Sequence, residues 1–204
     1  MSAKLLLPQE EYLASGIHIG MKQRTAQMKD FIYKIRPDGL AVLNLSKIDQ
    51  RIRIAAKFLA RLSKILVVSR KSSAIDAIKK FGEVTGAETV TGRFMPGTLT
   101  NPRYKRFFEA EAIVLVDTLT DVQALREAVT ARVPIVAVSD TLNETRDVDL
   151  IIPANNNGKR AIATLFWLLA REILKERGQI KSDEEFTYKI EDFAGGKLFE
   201  EQKP

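Results

Sequence analysis

Short runs of β-branched and aliphatic residues alternate along this chain with segments of helical periodicity, and that alternation leaves few folds open. Leu40–Leu45, Ile65–Ser69, Glu88–Thr91, Ala112–Asp117, Pro134–Ser139 and Asp149–Ile152 are the strand candidates. Most are apolar throughout rather than alternating, as expected of parallel strands covered on both faces. The intervening segments carry helix starts. Ser46 with Asp49 three residues on resembles a capping box. Ile48, Ala55, Leu59 and Leu62 then share one face, with Arg53, Lys57 and Arg61 opposite. Thr120 with Gln123 opens a second helix over Asp121–Ala131. A third, from Gly158 to Glu176, buries Ile162, Leu165, Leu169 and Ile173 and ends before Gly178. Strands joined by crossover helices predict a three-layer α/β fold on a mostly parallel, doubly wound sheet. The expected organisation is one domain over 1–178, with a basic N-terminal segment, followed by an acidic extension over 179–204.

Charge sets the class of partner. The chain has 32 Lys and Arg against 26 Asp and Glu, and its pI is near 9.5. The tail Lys181–Pro204 holds four Lys and seven acids, so the body is more basic than the total of +6 suggests. A basic body with an acidic tail suggests a polyanionic partner, nucleic acid or an anionic surface. With no Cys, disulfides and thiolate metal sites are excluded. The start, MSAKLLLPQEEY, has too short an apolar run for a signal peptide. No run approaches the roughly 18–20 apolar residues that cross a bilayer, so a soluble, intracellular protein without a membrane partner is expected.

The cations are clustered. From Thr89 to Phe108 there is no acid, while Arg93, Arg103, Lys105 and Arg106 crowd a stretch punctuated by Pro96, Gly97 and Pro102. Pro and Gly argue for an ordered loop, and its cations, Tyr104, hydroxyls and amides suit phosphates and sugars. A second segment, Gly16–Pro37, carries Lys22, Arg24, Lys29, Lys34 and Arg36 against Asp30 alone, with Phe31 and Tyr33 interleaved. Cations mixed with aromatics suit RNA. Phe31 and Ile35 are expected in the core.

An enzyme would keep its groups at the carboxyl ends of the strands. After Ile65–Ser69 comes Arg70–Lys71–Ser72–Ser73, without the glycines of a dinucleotide fingerprint. Asn155–Arg160 superficially resembles a phosphate loop. Its first Gly would fall at Pro153, however, and Arg160 replaces the Ser or Thr that a magnesium ion needs. Asp117 and Asp140 end two strands and could serve a nucleotide- or sugar-phosphate-binding enzyme. Strand-end Asp residues more commonly satisfy turn N–H groups. The single histidine, His18, lies between Gly16 and Gly20 and reads better as a positioned polar group than as a general base or zinc ligand. The expectation is no enzyme, no cofactor and no metal.

Five ordered motifs add a resemblance. Gly16-x-His18-x-Gly20 is followed by Met28–Lys29-x-Phe31–Ile32–Tyr33, then by Arg93-x-x-Pro96–Gly97–Thr98-x-Thr100–Asn101. Ala112–Asp117 with Glu127–Ala128 comes next, then Pro134–Ala137, Asp140–Thr141 and Val148–Asn156. Together they resemble the S-two family of small-ribosomal-subunit proteins over roughly residues 8–176, and Trp167–Glu172 resembles the archaeal and eukaryotic branch. Only Pro102–Glu111 follows the TLTN motif, where bacterial relatives insert a long helical hairpin. Leu142 departs from a common Asn.

The resemblance implies a flavodoxin-like fold. It also implies a structural role at the head–body junction of the cytoplasmic small subunit, bound to ribosomal RNA and neighbouring proteins, with no obligate homo-oligomer. The expected RNA-binding residues are Lys22, Arg24, Lys29, Arg36, Arg93, Arg103, Lys105 and Arg106 for phosphates, and His18, Thr98 and Asn101 for sugars or bases. Lys159 and Arg160, with Asn155 and Asn156, would favour an anion at a helix N-terminus. The acidic tail is expected to dock on a basic neighbour.

Overall fold

A computed structural model describes residues 5–196 of the chain. Five parallel strands form the main sheet: β3 (Ile65–Ser69), β4 (Glu88–Thr91), β5 (Ala112–Leu115), β6 (Ile135–Ser139) and β7 (Leu150–Pro153), in the order β4-β3-β5-β6-β7. The order reverses direction between β3 and β5, the arrangement of flavodoxin-like sheets. Alternate residues of each strand feed opposite layers. Val67, Val114, Val116, Val138 and Ile152 face one layer, and Leu66, Val68, Ile113, Leu115 and Ala137 the other.

The first layer holds α2 (Leu45–Ala60), α3 (Ile75–Thr85) and α5 (Lys159–Glu176). Phe81 and Phe166 meet there edge to face, with ring centroids 5.3 Å apart, a geometry the ring quadrupoles favour. The second layer is thinner. It holds α4 (Val122–Ala131), and where a crossover helix would join β4 to β5 the loop supplies Phe94, Leu99 and Phe108 instead. The acid-free loop is therefore anchored by its own apolar residues.

Two features depart from the sequence expectation. The run at 40–45 does not join the parallel sheet. Only Ala41–Leu43 is strand (β2), and it pairs antiparallel with β1 (Ile32–Ile35), inside the basic segment thought to precede the first strand. Phe31 is buried as expected, but Ile35 is 52% exposed. Helix α2 is capped by Asn44, whose side chain accepts the Ser46 N–H at 3.0 Å. Asp49 does not box the cap; it is buried and accepts from Leu6 N–H, Tyr12 O–H and Arg53 Nε at 2.8–2.9 Å. Burial first, and then Asp49, pushes the Tyr12 phenol well above its ordinary pKa. This knot ties α1 (Gln9–Ser15) to α2.

The described part of the tail packs on the body. Phe186 packs edge-on against Trp167, whose Nε1–H donates to the Tyr188 carbonyl at 2.7 Å. Phe193, in α6 (Ile190–Phe193), is fully buried against α3 and α5. The acidic segment up to Gly196 is thus stitched to its own body; residues 197–204 lie outside the described residues.

Candidate nucleic-acid interface

At the carboxyl ends of β3 and β5, where the strand order reverses, a doubly wound fold opens its ligand crevice. Here that crevice is plugged. Lys71, just past β3, puts its ammonium 2.8 Å from Asp117 Oδ2, 2.8 Å from Asn157 Oδ1, and 3.0 and 3.1 Å from Asn156 Oδ1 and its carbonyl. Asn143 donates to Asp117 Oδ1 and accepts from Asp140 N–H at 2.8 Å and Asn156 Nδ2 at 2.9 Å. Asn156 also donates to the Val116 carbonyl. The side-chain polar groups of Lys71, Asp117, Asn143 and Asn156 all find partners in this network, which is the condition for burying them without loss.

Asp117 and Asp140, the pair that an enzyme could have used, are spent on this plug. Burial alone would raise the Asp117 pKa, but the Lys71 ammonium, the Thr120 hydroxyl and the Leu119 N–H hold it below the usual carboxylate value. Asp140 accepts from Thr141 N–H and Asn157 Nδ2, and burial raises its pKa. Asp140 answers backbone and amide donors, the commoner role for strand-end Asp, and Asp117 adds the Lys71 ammonium and the Thr120 hydroxyl to such donors.

Asp121 is the imperfect member. One of its oxygens accepts the Arg70 N–H at 2.9 Å; the other is buried with no partner among the described residues. Burial pushes its pKa up to about 7, with Asp117 adding to the shift. The native state therefore holds a proton that the unfolded chain has already lost between about pH 4 and 7, so this group's contribution makes stability fall as pH rises through that window. Asp121→Asn removes the titration and keeps an oxygen for Arg70. Relative to wild type, it is expected to gain stability progressively between about pH 4 and 7, by up to about 4 kcal/mol in all. Thermal melts of both proteins across that range check this, and a difference independent of pH would contradict it.

The loop after β4 is set by one residue. Glu127, buried on α4, accepts Gly97 N–H at 2.8 Å and Gln123 Nε2 at 2.9 Å with one oxygen, and Leu99 N–H at 3.2 Å with the other. Gly97 has φ +92°, and a Cβ there would meet Asn101 Cβ at 3.2 Å, so both conformation and space call for glycine. The result is a groove of about 590 Å³ along edge strand β4, lined in part by Arg93, Tyr104, Arg106 and Thr91. Arg93 also meets Arg70 and Asp121 at a smaller cavity of about 160 Å³.

The structure sorts the remaining expected contacts. Lys22, Arg24, Lys29, Arg36, Arg93, Asn101, Arg103, Lys105, Arg106 and Arg160 are exposed. Thr98 is not: it is buried, and its hydroxyl donates to the Met95 carbonyl at 2.7 Å, so it shapes the loop from inside. Arg36 pairs with Asp38 at 3.4 Å and Lys159 with Asp76 at 2.7 Å.

Asn155 and Asn156 are not free to receive an anion at the start of α5. Asn155 accepts the Asn157 and Gly158 N–H groups and donates to the Gly16 carbonyl, while Asn156 sits in the plug. His18 is half-buried, and its Nδ1 has no partner among the described residues. Burial, opposed by a hydrogen bond with the Tyr12 backbone and aided by the Arg36 charge, lowers its pKa. Its ring is therefore neutral at pH 7.

The basic segment reaches the carboxyl end of the sheet through Thr141. Met21 N–H donates to Thr141 Oγ1, and Thr25 N–H to the Thr141 carbonyl, both at 2.9 Å. Gly20 makes this approach feasible, since a Cβ there would lie 2.6 Å from Thr141 Cγ2. Lys22 and Arg24 are thereby held over the strand ends. Sequence reasoning missed Glu127, Lys71 and Asn143 as the residues that organise the surface. Glu127, a charged residue among the apolar positions of its helix, was the one available signal.

These features define a doubly wound α/β scaffold with a plugged crevice and a cationic rim. The family model described as Ribosomal protein S2 matches residues 12–107 and 107–176. Three archaeal proteins named small ribosomal subunit protein uS2 align over 195 residues, covering 95% of this chain and 98% of each relative. They are those of Thermoplasma acidophilum at 50% identity, Thermoplasma volcanium at 49% and Picrophilus torridus at 48%. The chain belongs to the ribosomal protein S2 family, in its archaeal form.

Proposed function

We propose that this protein is held on the small ribosomal subunit by ribosomal RNA contacts along the loop after β4 and the basic N-terminal segment, at the head–body junction, as a single copy beside neighbouring ribosomal proteins. Membership of the family makes it a structural constituent of the cytoplasmic small subunit and not an enzyme. Among the described residues no helix is long and apolar enough to cross a membrane.

The observation that carries the RNA reading is the groove beside β4. It draws Arg93 and Arg106, with Tyr104, from a segment without acids into one surface. Arg103 and Lys105 on the same loop, and Lys22, Arg24 and Lys29 on the N-terminal segment, are the further phosphate partners, with Asn101 and His18 offered to sugars or bases. Arg36 and Lys159, already paired within the chain, contribute less, and Arg160 stands at the start of α5. Residues 179–204 act as an extension whose described part straps α3 and α5.

Rebinding of purified protein to salt-stripped small subunits tests this. Each phosphate contact adds about 0.7–0.9 to the slope of log affinity against log salt. Arg93→Gln and Arg106→Gln are each expected to weaken rebinding at low salt and to flatten that slope by roughly this amount. Unchanged slopes in both variants would remove the groove from the RNA interface.

A further inference from the structure

The hairpin β1–β2 leaves one aromatic residue without a task in the fold. Tyr33 is 70% exposed, and strand β1 is exposed at every position after Ile32. Strand β2 lies between β1 and the segment at Ile19, which bridges Val42, so β1 forms the outer edge with no strand beyond it among the described residues. The pairing slips within β1: Ile32 stands opposite Leu43 and Lys34 opposite Val42, leaving Tyr33 as the extra residue. Such bulges re-aim a side chain and are often retained where that side chain is used. The neighbouring ring is employed differently. Phe31 is buried, and Lys47 and Arg51 lie over its face at 5.8 and 5.4 Å from its centre.

The surroundings specify what would cover Tyr33. Lys29, Lys34 and Arg36 are exposed on the same segment, and the hairpin turn at Gly39 lies beside the stem of Lys22. The nearby acids are Asp30, whose carbonyl receives Lys47, and Asp38, which is paired with Arg36. An exposed ring in a ribbon with excess cations complements an anionic strand that offers flat faces. Unpaired RNA has both, since its bases stack on aromatic rings while its phosphates meet Lys and Arg.

We propose that Tyr33 is a stacking platform for an unpaired base of ribosomal RNA, with Lys29 and Lys34 meeting the adjoining phosphates. This rests on the RNA reading above and extends it from phosphate pairing to base contact. Stacking tolerates any base, so the platform selects single-stranded RNA rather than a sequence.

The test is rebinding of wild type, Tyr33→Phe and Tyr33→Ala to salt-stripped small subunits, combined with ultraviolet crosslinking of native subunits and mass spectrometry of the peptide that contains residue 33. Tyr33→Ala is expected to weaken rebinding by roughly five- to 150-fold while leaving the salt slope unchanged. Tyr33→Phe should bind within twofold of wild type, and the peptide should carry a nucleotide adduct. Melting temperatures equal to wild type confirm intact folding, as the exposure of the ring leads one to expect. Rebinding of Tyr33→Ala within twofold of wild type would overturn the platform, as would an adduct to a protein instead of a nucleotide. Either result leaves the ribosomal reading standing. Failure of wild type itself to rebind would overturn both.

Discussion

Lys71→Met is expected to destabilise the fold by about 3–5 kcal/mol at neutral pH, the usual cost of removing one partner of a buried ion pair. Methionine keeps much of the stem's volume, so the loss isolates the charge. Asp117, with its side chain 7% exposed, would be left without its counter-ion, and the oxygens of Asn156 and Asn157 would lose their donor. In a protein of this size such a loss lowers the melting temperature by roughly 6–20 °C.

The pH dependence carries the mechanism. Asp117 has a depressed folded pKa, so its stabilisation is present above the unfolded value and is lost as pH falls through the folded value. Without Lys71 the buried carboxyl is pushed above the usual carboxylate range, so the penalty of Lys71→Met should be largest at neutral pH and shrink steadily as the pH falls toward 3 and the stranded carboxyl takes up a proton. Adding Asp117→Asn should recover at least about half of the loss, because a neutral amide can still accept from Asn143 and donate to Thr120. Additive losses in the double variant, or a single-variant effect below about 1 kcal/mol, would show that the plug is not held by this pair.

Glu127→Ala is expected to act on both stability and binding. It strands the Gly97 and Leu99 N–H groups, each of which costs about 1–3 kcal/mol if left buried without a partner. A total of roughly 2–4 kcal/mol should appear as a lower melting temperature, by about 5–15 °C. The loop then loses the geometry that places Arg93 and Arg106 along one groove, so rebinding to small subunits should weaken by more than either arginine substitution alone. Glu127→Gln should fall between, because its amide nitrogen cannot accept from a backbone N–H. Chemical denaturation and rebinding of the three proteins decide the matter. A destabilised Glu127→Ala that rebinds like wild type would separate the loop from the interface.

What the sequence disclosed follows from how strongly each element is patterned. Strands β3, β5 and β6 were legible because both faces are buried and the apolar run is unbroken. Helix α5 was legible because its apolar residues recur over five turns and end before a glycine. The hairpin was not, because Ala41–Leu43 is too short to show a period and its partner β1 is exposed, so Ile35 carried no mark of being outside. The start of α2 is misplaced for a non-local reason: Asn44 and Ser46 both suit a cap, and the choice depends on Asp49 being drawn inward by Tyr12 and Leu6, partners 37 and 43 residues away.

The same limit applies to the site. Exposed cations declared themselves by clustering, yet the residues that position them are single acids and amides whose partners are set by topology. Thr98 resembles Asn101 as a loop hydroxyl or amide, and only the fold shows that one faces inward and the other outward. Asn155 and Asn156 suit hydrogen bonds to an anion by their place before a helix, but the strand ends bring Gly16 and Lys71 to them.

Whether the protein is held on the small ribosomal subunit largely by phosphate contacts is read from fractionation of native cell lysate on sucrose gradients. At low salt the protein should migrate with small subunits, and a high-salt wash should release part of it to the top of the gradient. Migration only at the top, at low salt as well as high, would contradict that attachment.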